Sequence, residues 1–204
     1  MSAKRICLIA LLIATLTGGK LAIPVANIEI VTLLLVVYAL TFGWRDSFIA
    51  CLVFISIEPL IHGFQPWWIV LYFSYWPALV TVVAFLPKRL KRARIVIAIA
   101  IGIIFTVLFG LLDALIYTLF SGGLGSGNFW GFFAVYYLKG FIPPWPFVPV
   151  QIISNAVILP LLVPTLYKAL SALSAAYNKN TKMKPSMPVH SEEPALTNNE
   201  QKTN

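Results

Sequence analysis

Six apolar stretches, each long enough or nearly long enough to cross the roughly 30 Å hydrocarbon slab of a bilayer, follow one another, with short breaks except before the last. They cover 6–22, 28–43, 47–63, 67–86, 95–120 and 146–173. Hydrophobic residues make up 59% of the 204 positions and charged residues 11%. Soluble domains average about 45–50% and about 25%, so this chain has more apolar surface than a core of its size can hide. The pattern predicts an all-α integral membrane protein, a six-transmembrane-helix bundle spanning residues 1–173. Its outer connecting segment is 121–145, "SGGLGSGNFWGFFAVYYLKGFIPPW", a Gly/Ser loop that turns aromatic. The "FWGFFAVYYL" part reads as a helix at the interface. From 174 to 204 the chain is polar, Pro-containing and aperiodic, which predicts a disordered cytoplasmic tail.

Lys/Arg bias orients the bundle. With both termini cytoplasmic, the inner segments hold Lys4, Arg5, Arg45, Lys88, Arg89, Lys91, Arg92, Arg94, Lys168, Lys179, Lys182, Lys184 and Lys202. The outer segments hold only Lys20 and Lys139. The net charge of +8 thus reads as a topology signal. Nucleic-acid binding is a poor reading, because the basic runs flank apolar spans and form no soluble basic domain. The first 26 residues also resemble a secretory signal, with a basic start, an apolar run and small residues near Ala26. A retained first helix is the preferred reading.

An ionisable group near the centre of a membrane helix costs about 2.5–3.5 kcal/mol, so each one needs a reason. In the six-span arrangement the polar groups share one depth. Glu29 starts the second span, and Glu58 and His62 end the third. Asp113 lies about 27 Å along the fifth, at 1.5 Å per residue. Lys139 is in the outer segment, and Gln151 and Asn155 occupy the outer half of the last span. Glu58 and His62 are i,i+4, as are Tyr72 and Trp76, and Gln151 and Asn155. Thr106, Gly110, Asp113 and Tyr117 form one stripe. The expectation is a single outward-opening pocket for a small molecule, walled by Trp67, Trp68, Trp130 and Trp145.

Each element has a plainer reading. Tryptophans at membrane edges form interfacial belts. Glu29 can cap a helix start, and Gln151 and Asn155 can hold helices together. No catalytic pattern stands out: HExxH, DDxxD, GxSxG and the P-loop are absent, and "GGLGSG" lacks the following Lys. No enzyme activity, cofactor or metal site is expected. Without a P-loop, uphill transport would draw its ATPase from another chain. Cys7 and Cys51 form no CxxC pair and read as small apolar fillers.

On the first span Ala10, Ala14 and Gly18 recur every four residues, a small-xxx-small ridge that lets another helix approach closely in lipid. With this ridge, six spans and no ATPase motif, the chain resembles the substrate-binding S component of an energy-coupling factor (ECF) transporter. The stretches "IPVANIEIVTLLLVVYALTFGWRDS" and "YYLKGFIPPWPFVPVQIISNAVILPLLVPTLYKAL" carry the likeness. The resemblance implies a prokaryotic plasma-membrane subunit that captures a vitamin or other micronutrient at the outer face and topples to release it inside. It implies docking on a transmembrane T component joined to two ATPase subunits, with Ala10 and Ala14 facing the T component. The His-rich N-terminus of nickel and cobalt members is missing from "MSAKRIC", which argues against a free metal ion as cargo. The wide aromatic outer segment suggests a bulky cargo, cobalamin first among the vitamins. Two other functions fit the same spans: an envelope scaffold resembling rod-shape protein D, and a membrane enzyme using Glu58, His62 and Asp113 as acid/base groups. The scaffold predicts acids paired internally and no pocket; the enzyme predicts those three side chains together.

Overall fold

The computed structural model describes residues 3–22, 30–142 and 146–182. Among these every regular element is helical: α1 (Ala3–Ala22), α2 (Ile30–Phe42), α3 (Trp44–His62), α4 (Pro66–Ala84), α5 (Lys91–Phe120), α6 (Phe129–Lys139) and α7 (Phe147–Lys182), with a 3-10 turn at Lys88–Leu90 before α5. Turn chemistry sets several of the breaks. Gly43 and Gly63, at φ 80° and 89°, take left-handed conformations that L side chains resist, and they end α2 and α3. Pro66 opens α4, where its missing N–H costs nothing. The Asn128 side chain accepts a hydrogen bond from Gly131 N at 3.1 Å and caps α6.

The helices α1 to α5 run alternately up and down. Arg5 pairs with Asp46 where α1 and α3 begin, and Lys20 pairs with Glu58 where they finish. Trp44 Nε1 donates to Thr81 Oγ1 at 3.2 Å, joining the start of α3 to the end of α4. Trp67 meets Tyr117 edge-on, joining the start of α4 to the end of α5. The bundle therefore has an Arg94 end, where Arg5, Trp44, Phe85 and the 3-10 turn lie, and a Gly63 end, where Lys20, Glu58, His62 and Tyr117 lie.

α2 is the central helix. Val31–Leu33 and Leu35–Leu40 are all buried, so it is apolar all round and touches α1, α3, α4, α5 and α7. Its last carbonyls need donors. Arg94, 7% exposed, reaches across from α5 and donates to Leu40 O at 3.4 Å. By contrast α1 buries only Ile9, Leu12 and Leu16, and lies on the outside of the bundle.

Four helical stretches are long and apolar enough to cross a membrane: Ala3–Ala22, Pro66–Ala84, Ala93–Phe120 and Phe147–Ala175. The other two expected spans fall short of that measure for identifiable reasons. α2 has 13 helical residues, and α3 carries Arg45, Asp46 and Glu58 within its 19. α7 does not stop near residue 173 but continues to Lys182, so the part of the expected tail before residue 183 is helix. The rest of that tail lies outside the described residues, as does the segment 23–29.

Two stability expectations follow from this packing. A Cβ added at Gly102 would lie 2.7 Å from Leu159 Cδ1 and 3.5 Å from Val36 Cγ2, where α5 meets α7 and α2. Gly102→Ala should therefore destabilise the bundle by about 1–3 kcal/mol, read as a lower thermal midpoint in detergent. Arg5 Nε and Nη2 both lie 2.6 Å from Asp46 Oδ1, but the side chains are 34% and 19% exposed. Arg5→Ala should cost no more than about 1 kcal/mol in the same assay. A larger loss would mean that this pair holds α1 in place.

Candidate functional site

Glu58 ends the buried face of α3, one helical turn after Phe54 and Ile55. Its side chain is 5% exposed, so its charge has to be answered locally. The answer comes from α1. The Lys20 ammonium is ion-paired with Glu58 Oε2 and is itself 26% exposed. His62, one turn on, places Nδ1 3.5 Å from the same oxygen, with its side chain 40% exposed.

Aromatic faces surround the pair. Lys20 Nζ lies 4.9 Å from the ring centroid of Tyr72, 5.5 Å from that of Trp76 and 5.9 Å from that of Phe54. All three are within cation–π range. Tyr72 and Trp76 are themselves packed at 4.2 Å between centroids, as their i,i+4 spacing on α4 allows.

Beside this group opens a pocket of about 320 Å³, bounded by the ends of α1 and α3, the α3–α4 turn and the start of α4. Lys20, Glu58, His62, Gln65 and Tyr72 supply its polar groups, and Ile55, Pro59, Trp68 and Ile69 its apolar walls. Pro59 sits inside α3 and has no N–H, so the Ile55 carbonyl lacks its usual helical donor.

The remaining expected residues do not line this pocket. Asp113 accepts a hydrogen bond from Tyr136 of α6, while its Oδ1 has no partner. Tyr136 stacks on Tyr117 at 3.9 Å, and Tyr117 meets Trp67 at 5.7 Å, forming a seam between α4, α5 and α6. Burial and the Asp113 carboxylate hold the Tyr136 phenol above its ordinary pKa, so it remains a donor to Asp113. Asn155 Nδ2 donates to Thr106 Oγ1 at 2.9 Å, and Gln151 is buried one turn earlier on α7. Trp130 is 72% exposed and packs on Phe129 and Phe133 of its own helix. Lys139 is exposed at the end of α6. Glu29 and Trp145 lie outside the described residues.

The polar groups expected to share one cup thus divide into a pocket at Glu58, a seam at Asp113 and a seam at Asn155. Glu58, His62, Tyr72 and Trp76 come together; Asp113 is not with Glu58 and His62. Lys20, Phe54 and Gln65 were not among the residues expected from sequence. Lys20 could have been found from its position, since the last turn of the first span lies at the depth of Glu58. Ala10, Ala14 and Gly18 are exposed on α1, and a Cβ at Gly18 would meet nothing within 4 Å.

Among known proteins, no family model matches this chain, and neither a curated protein nor a solved structure does. Its function therefore has to be argued from the site.

Proposed function

We propose that this protein is the substrate-capturing S component of an ECF transporter in a prokaryotic plasma membrane, binding a small micronutrient in the Glu58 pocket. In this reading α1 to α5 and α7 make six crossings with both termini in the cytoplasm. Arg5, Arg45, Lys88 and Arg89 lie at the Arg94 end, which supports placing that end inside. The pocket then faces outward.

One observation carries the reading: a buried carboxylate of a membrane bundle lies against an open volume instead of being sealed. Ligand sites run from about 300 to 1,000 Å³, so a pocket of about 320 Å³ supports a cargo at the small end. Cobalamin is far too large, and the exposed α6 aromatics that suggested it lie apart from the pocket. The exposed Ala10, Ala14 and Gly18 face supports docking on a T component that joins two ATPase subunits.

The scaffold reading has its own support. Among the described residues all three acids, Asp46, Glu58 and Asp113, have partners within the chain. A scaffold needs no void beside Glu58, which is why capture is preferred. Native mass spectrometry of the purified protein tests the choice: a small molecule released on activation supports capture, and an empty protein from cells in rich medium favours the scaffold.

A further inference from the structure

We propose that the box formed by Glu58, Tyr72, Trp76 and Phe54 recognises an organic ammonium cation, and that Lys20 is a tethered occupant which this ligand displaces. The inference rests on the reading of the pocket as a capture site and adds the charge class of its cargo. The donor set is one that suits an ammonium group: a carboxylate that is 5% exposed and three rings whose centroids lie 4.9–5.9 Å from the nitrogen already there. The nitrogen in place belongs to the chain itself.

Lys20 can leave at small cost. It is in the last turn of α1, and its side chain is 26% exposed and borders the open pocket. A lysine stem reaches water easily, and a cation in the last turn keeps the favourable field of the helix C-terminus. Glu58 cannot leave, because it is buried on α3. The exchange swaps one cation for another against the same carboxylate.

An anionic cargo fits poorly. Lys20 is already neutralised by Glu58, and an anion entering beside it would meet that carboxylate and the negative faces of the rings. The adjoining walls of Ile55, Pro59, Trp68 and Ile69 leave room for a compact apolar or ring-bearing body behind the charged head.

The test is a titration of the full-length protein in nanodiscs with choline and, in parallel, with its uncharged carbon analogue 3,3-dimethylbutan-1-ol, followed by tryptophan fluorescence. Saturable binding of choline is expected, at least tenfold tighter than the uncharged analogue. Lys20→Met, which keeps the stem and removes the competing charge, should tighten choline at least tenfold. Glu58→Gln should weaken it at least tenfold, and Tyr72→Leu, on the half-buried wall, should weaken it too while leaving the buried carboxylate in place. Equal binding of the two probes, no saturable choline binding, or unchanged or weaker binding by Lys20→Met overturns the inference. Native mass spectrometry separates that failure from failure of the capture reading. A bound neutral or anionic molecule sinks only the cation proposal, whereas an empty protein that also ignores choline sinks both.

Discussion

Glu58→Leu is expected to empty the protein of its co-purifying small molecule and to weaken cargo binding about 10- to 150-fold. This is the range for losing a charge-assisted hydrogen bond worth about 1.5–3 kcal/mol. The structure separates this effect from misfolding. Lys20, the partner left behind, is 26% exposed at a helix end and can turn to water, so the variant does not trap a lone charge in the bundle. Leu also suits the surroundings of Phe54 and Ile55 on the same face of α3. The expected signature is a normal thermal midpoint with no ligand peak in native mass spectrometry. A variant that keeps its ligand would remove the pocket from the functional account.

Ala14→Leu is expected to do the reverse. The position is exposed on α1 and packs on nothing that the fold needs, since the buried residues of that helix are Ile9, Leu12 and Leu16. Ligand binding by the isolated protein should therefore be unchanged. A leucine on the small-residue ridge would hold a partner helix away. At about 1–3 kcal/mol for an overpacked contact, docking should weaken about 5- to 150-fold and uptake by a reconstituted transporter should fall with it. Normal uptake by Ala14→Leu would mean that the ridge is not a docking surface. Together the two substitutions separate capture from coupling.

The helices were legible because length and composition decide them. The boundaries at Gly43, Gly63 and Pro66 are written in turn residues, and the apolar runs between them are too long to be anything else in so oily a chain. Even α6 was legible, as an aromatic block after a Gly/Ser loop. What depth along a helix does not specify is direction around the bundle axis. Asp113 and Glu58 lie toward the Gly63 end and Asn155 nearer the middle, beside Thr106, and the three face different neighbours: α6, α1 and α5. Azimuth is set by which helices pack together, and that is a property of the whole core. Lys20 was overlooked for a related reason. A topology count treats a lysine at a span end as a charge in water, yet a side chain of that length can reach a buried carboxylate on the next-but-one helix. The most informative pair in the site thus joins a residue that looked functional to one that looked like punctuation.

α7 has a further consequence. At 1.5 Å per residue its 36 residues make a rod about 54 Å long, against an apolar slab of about 30 Å. Tilt takes up only a few ångströms of that difference. With Phe147 at the Gly63 end and the apolar stretch ending at Ala175, a bundle seated in lipid leaves about the last two turns of this helix beyond the Arg94 end. Such an extension would turn a small rotation of the bundle into a larger displacement at its tip.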